Sequence, residues 1–121
     1  MKNRIFLATT VLALTGMLAM PVLAQQTGVV TGRVLRTLVT TDEMFGGCMA
    51  LLSSNPAAVM PGCGARWISL GCVDAQGQDS VRGYRMLDQA QMALALNKSV
   101  LVRFSDSTYD GYCVATRVDV Y

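Results

Sequence analysis

Residues Asp79–Lys98 read DSVRGYRMLDQAQMALALNK, and this stretch decides the fold. Gly83, Leu87, Ala90 and Leu94 recur at i, i+4, i+7 and i+11, which sets one apolar stripe along a helix, and Met86 and Ala93 widen it. Asp79 or Ser80 supplies a side-chain oxygen for the free amides of the first turn, and Asn97-Lys98 stands where helices commonly stop. The runs on either side are strand-like, so a single helix is expected inside a β chain.

Toward the N-terminus, Val29–Thr40 (VVTGRVLRTLVT) is rich in β-branched residues and predicts a long first strand with a bulge or bend at Gly32. Its alternation is imperfect: Val34 and Leu38 fall on one face, Leu35 and Val39 on the other, as in a bent strand that changes the face it buries. Thr41–Gly47 (TDEMFGG) reads as a turn and Cys48–Leu52 as a second strand. Ser53–Gly64 holds two of the three prolines and reads as a loop. Ala65–Cys72 is the third strand, with Ile68 and Leu70 on one face and Trp67 and Ser69 on the other, and Val73–Gln78 turns into the helix. Beyond the helix, Ser99–Ser105 alternates with Val100, Val102 and Phe104 inward. Asp106–Gly111 (DSTYDG) reads as a hairpin loop. Tyr112–Tyr121 is the last strand, with Val114, Thr116, Val118 and Val120 inward and Arg117 and Asp119 outward.

The chain is therefore mostly β with one helix, in the order β-β-β-α-β-β. A helix between the third and fourth of five strands is the order of the OB-fold, a small Greek-key barrel. An open sheet with the helix on its face is the alternative, and the long bent first strand favours the barrel, in which it serves both sheets. The same topology sorts the cysteines. Cys48 opens strand two and Cys72 closes strand three, neighbouring ends of an antiparallel pair. Cys63 precedes strand three and Cys113 opens strand five, and those strands run parallel side by side in such a barrel. The expected disulfides are Cys48–Cys72 and Cys63–Cys113.

Residues 1–24 read as a cleaved secretory signal. Lys2 and Arg4 precede the apolar run Ile5–Met20, and Val22 and Ala24 are the small residues before a cleavage site. The run is short for a membrane span and no positive charges follow it, which disfavours an anchor; no cysteine follows it to take a lipid. Removing 24 of the 121 residues leaves 97, the size of one domain (25–121) that benefits from covalent staples. Lys2 and Arg4 leave with the leader, so eight basic residues face eight acidic ones and the basic balance that would suit nucleic acid disappears. An even cysteine count in a small exported chain points to two disulfides. With the leader, the expected location is periplasmic or secreted, in a Gram-negative-type bacterium.

The chain has no histidine, and its cysteines form no C-x-x-C. The usual zinc sets, the Ser-His and Cys-His pairs and a thioredoxin-like redox site are therefore missing, and no G-x-S-x-G or Gly-rich phosphate loop is present. No catalytic residue, metal or cofactor is expected. Asp42-Glu43 and Asp106/Asp110 are carboxylate pairs, and in glycine-containing turns such residues usually serve the turn. Binding has better material. OB barrels use the face of strands two and three and the loops after strands one and four. Here that set is Met44, Phe45, Trp67, Asp106, Tyr109, Asp110 and Tyr112; rings with neighbouring carboxylates suit a sugar, while Phe45 and Trp67 could equally be core. Opposite the helix's apolar stripe, Val81, Met92 and Leu96 form a second surface, a subunit contact or scattered exposed side chains.

Several local features together resemble a diffuse group of small exported bacterial OB-fold proteins that look like the receptor-binding B subunits of AB-type toxins. They are Gly32-Arg33-Val34-Leu35-Arg36 in the first strand, Cys63 ahead of Trp67, Ala90, Ala93 and Leu94 in the helix, and Lys98, Val100 and Val102 after it. The resemblance implies a non-enzymatic module that binds a glycan or a protein partner, and a ring-shaped homo-oligomer built around its helices. The alternative is a periplasmic structural or protein-interaction protein that binds no sugar.

Overall fold

The computed structural model describes residues 20–21 and 23–121. The expected leader, with Lys2, Arg4 and Val22, lies almost wholly outside them. Five strands, β1 (Thr27–Val39), β2 (Cys48–Leu52), β3 (Trp67–Ser69), β4 (Ser99–Tyr109) and β5 (Tyr112–Val120), close into a barrel in the order β1-β2-β3-β5-β4. The fold is the expected OB-type barrel, and among the described residues no helix is long and apolar enough to cross a membrane.

β1 does belong to both halves of the barrel. Residues Thr27–Arg33 pair with β4 and Val34–Val39 pair with β2, both antiparallel. The bend is not at Gly32, which stays in register opposite Val100. The register slips between Val34 and Arg36, so Leu35 is the extra residue. Gly32 is small for another reason: a Cβ there would lie 2.6 Å from the hydroxyls of Ser53 and Ser54. Ser53 Oγ accepts from Arg33 N at 2.8 Å, and Ser54 Oγ donates to Thr31 O.

α2 (Val81–Leu96) closes the barrel's lower end, and Ser80 is its N-cap, the hydroxyl accepting from Gly83 N at 3.3 Å. Asn97 ends it in the left-handed region. Gly83, Leu87 and Ala90 face the barrel as expected, but the stripe finishes on Ala93 rather than Leu94: Ala93 is 1% exposed and Leu94 39%. At its C-terminal end the helix turns the Ala93 edge of the stripe to the barrel and leaves Leu94 at the margin. Gly83 is where helix and barrel touch most closely, because a Cβ would strike the backbone of Gly71 and Cys72.

β4 is longer than the expected Ser99–Ser105 and runs to Tyr109, so the hairpin loop shrinks from Asp106–Gly111 to Asp110-Gly111. Both residues have positive φ (51° and 86°), as a type I′ hairpin turn requires, and Asp-Gly is a common pair for it. Asp106 and Ser107 form a bulge within β4. A second bulge falls in β5: Ala115 pairs with Phe104 and Arg117 with Arg103, which leaves Thr116 extra. The extra residue flips the buried face. Cys113 and Ala115 are buried before it and Val118 and Val120 pack on the core after it, so Val114 is only half-buried and Thr116 is exposed. Arg117 points out as expected; its Nε donates to Asp119 Oδ1 at 2.8 Å, and that bond and the carboxylate's charge raise the guanidinium's pKa. The expected loop Ser53–Gly64 contains one helical turn, α1 (Pro56–Val59), with Pro56 at its first position and Asn55 Oδ1 accepting from Ala57 N at 3.1 Å.

The core is centred on Phe104, Leu52, Ile68, Leu70, Val100 and Val102, each at most 2% exposed. β3 is the weak member. It spans three residues and meets β5 through the single pair Ser69–Val114. Both disulfides bracket this seam, Cys48–Cys72 on one side and Cys63–Cys113 on the other, in the expected pairing. Two disulfides indicate an oxidising compartment, periplasmic or extracellular.

Candidate functional site

β2 reads CMALL, apolar on both faces, so its outer face requires a cover as well as its inner one. The pairing register puts Leu38 opposite Met49, and Leu51 between Arg36 and Trp67, on that outer face. Three rings supply the cover. Phe45 comes from the loop between β1 and β2, Trp67 from β3, and Tyr112 from the start of β5. With Leu38 and Met49 as the floor they line an open cup of about 220 Å³. Phe45 and Tyr112 meet edge-to-face, centroids 5.7 Å apart and planes at 78°.

The loop carrying Phe45 is held by its backbone. Phe45, Gly46 and Gly47 all have positive φ (56°, 75° and 78°), and for a bulky aromatic residue this region is strained. Two hydrogen bonds fix it there. Phe45 N donates to Asp110 Oδ2 at 2.7 Å, and Phe45 O accepts from the Ser69 hydroxyl at 2.7 Å. Ser69 is fully buried, and its oxygen also accepts from Gly71 N at 3.2 Å. The β4–β5 turn and the β3 strand thus clamp Phe45 between them. Tyr112 is seated by a similar economy of space: a Cβ on Gly64 would collide with its ring.

Of the residues expected to bind, the structure brings Phe45, Trp67 and Tyr112 together and sets Asp110 behind them as a positioning group. Asp106 and Tyr109 do not line the cup. Asp106 lies in the β4 bulge, its N–H donating to Gln26 O at 3.0 Å, because the strand continues through the segment expected to be loop. Tyr109 stands on the other side of Gly46 and lines neighbouring grooves. Leu38 and Met49, which floor the cup, and Ser69, which holds Phe45, are not singled out as site residues by the sequence; the doubly apolar β2 is the available signal for the first two.

Two open grooves adjoin the cup along the same loop. One, of about 750 Å³, is lined by Thr40–Met44, Val73, Gly77, Asp79 and Tyr84. The other, of about 490 Å³, is lined by Glu43, Met44, Asp74, Ala75, Thr108, Tyr109 and Asp110. Asp74 Oδ1 accepts from Gln76 N and Gln78 N, both at 2.9 Å, which folds the turn between β3 and α2. Among the described residues no group of three or more His, Cys, Asp or Glu is arranged to hold a metal ion. On α2, Val81, Met92 and Leu96 are 66%, 42% and 62% exposed, so the second surface read from the sequence does face outward. No family model matches the chain, and neither a curated protein nor a solved structure matches it.

Proposed function

We propose that this chain is an exported, non-catalytic binding module, with 1–24 as its leader, that holds its ligand at the cup of Phe45, Trp67 and Tyr112. The observation that carries this reading is the clamped Phe45. A strained aromatic residue fixed by two hydrogen bonds beside two more rings is the arrangement of a preorganised contact. Trp67 is the only tryptophan, so its fluorescence reports the cup directly. The test is a titration with glycan and protein panels on wild type and Tyr112→Ala. A ligand that shifts Trp67 emission in wild type, and at least about tenfold more weakly in a folded Tyr112→Ala variant, supports the reading. Binding that ignores Tyr112 places the function elsewhere.

The exposed α2 face supports a second element of the same reading, a homo-oligomer closed through Val81, Met92 and Leu96, as the resemblance to toxin B subunits implies. Light scattering at high protein concentration decides it, and a monomer there removes the ring. The alternative function, a periplasmic structural or protein-interaction role without sugar binding, predicts a stoichiometric protein partner whose capture does not respond to competing sugars.

A further inference from the structure

The cup is chemically dry. Its five lining side chains carry only two polar atoms, the Trp67 indole nitrogen and the Tyr112 hydroxyl. The nearest carboxylate, Asp110, already accepts from Phe45 N. A sugar presents several hydroxyls, and each one left without a partner costs about 1–3 kcal/mol. The volume, about 220 Å³, is also smaller than the roughly 300–1,000 Å³ of small-molecule pockets. One large apolar side chain suits it better than a sugar ring.

The surroundings state the charge of what lies beside that side chain. Met44 and Phe45 form the wall between the cup and the two grooves, whose linings hold Asp42, Glu43, Asp74, Asp79 and Asp110 and no lysine or arginine. Five of the chain's eight acidic residues thus line these two grooves, and Arg82 and Arg85 enter only in the next groove, beyond Asp74 and Tyr109. On the other side of the cup the sign reverses, since Arg36 shares the outer sheet face with Leu51 and Trp67.

We infer that the cup is a socket for one large apolar side chain of a protein partner, flanked in that partner by lysine or arginine residues that lie over the acidic grooves. The inference rests on the reading of the cup as the binding site. A fully desolvated anchor with complementary charges around it is how such contacts concentrate affinity.

The test uses the disulfide-bonded protein, Trp67 fluorescence and amide chemical shifts, with tryptophan-free probes. These are short acetylated peptides with a central leucine flanked by lysines or by glutamates, the lysine peptide with a central alanine, and methyl glycosides as sugar probes. The lysine-flanked leucine peptide is expected to bind at least about tenfold more tightly than the alanine and glutamate peptides, about 1.4 kcal/mol in each case. Its advantage over the glutamate peptide should shrink with added salt. Tyr112→Ala should remove the preference for leucine, whereas Glu43→Lys should remove the preference for lysine and leave that for leucine. Equal binding of the glutamate-flanked peptide overturns the inference. A glycoside that perturbs Trp67 in a Tyr112-dependent way while no peptide does so overturns the inference and leaves the cup as the site. Silence from both probe classes overturns the inference and the site together.

Discussion

Ser69→Ala tests the clamp on Phe45. The hydroxyl is fully buried and makes two hydrogen bonds, donating to Phe45 O at 2.7 Å and accepting from Gly71 N at 3.2 Å. Each bond contributes about 1 kcal/mol net, and a partner stranded without water costs about 1–3 kcal/mol. Against this, Phe45 can relax out of its left-handed conformation, which returns about 1 kcal/mol. The balance is a loss of about 2–4 kcal/mol. For a barrel of this size that lowers Tm by about 10–30 °C. Circular dichroism melting with both disulfides intact measures it, and Trp67 emission at low temperature should shift as the Phe45 wall loosens. A Tm within about 3 °C of wild type, with unchanged Trp67 emission, would refute the claim that Ser69 holds the loop.

Gly83→Ala improves helix propensity by about 1 kcal/mol on paper. Its Cβ would strike the Gly71 and Cys72 backbone, so denaturant melts should instead show a loss of about 1–3 kcal/mol. Leu87→Asp places a carboxylate where the side chain is 6% exposed, and soluble folded protein should not be recovered. Met92→Lys alters an exposed position and should change stability by less than about 0.5 kcal/mol, while sedimentation reports whether the α2 face assembles. Peptide mapping without reduction should return Cys48–Cys72 and Cys63–Cys113. In the chain-entropy treatment, separations of 24 and 50 residues give about 3.5 and 4 kcal/mol, so losing Cys63–Cys113 should be the more damaging.

The helix was legible because its period, its cap at Ser80 and its stop at Asn97 all lie in local sequence. The cysteine pairing was legible because the order of elements left two neighbouring sets of strand ends. The inner face of β5 beyond Thr116 was not, because a bulge leaves no local signature: Thr-Arg fits either register, and only pairing with Arg103 and Phe104 fixes it. Leu94 was misjudged for a similar reason, since Ala93 and Leu94 are the two edges of one helical stripe and periodicity alone does not say which edge the barrel covers. The Asp110-Gly111 and Asn55-Pro56 signals were present and were absorbed into longer loops. At the site, the rings could be named from the sequence, whereas the floor and the clamp could not. Leu38 and Met49 meet only through strand register, and Ser69 is one of many serines until its neighbours are known.

The two disulfides join the first cysteine to the third and the second to the fourth. The bonds are therefore interleaved, and order of synthesis works against them. As the chain emerges, Cys48 meets Cys63 before Cys72 exists, and the shorter loop closes at lower entropic cost. Oxidation in order of appearance would give Cys48–Cys63 and Cys72–Cys113, and neither fits the barrel. Either the strands assemble first and template the bonds, or early bonds must be reshuffled by thiol–disulfide exchange, over seconds to hours. Yield of native protein is thus expected to depend on a disulfide isomerase more than on an oxidant, and a host lacking one should accumulate an oxidised but mispaired chain.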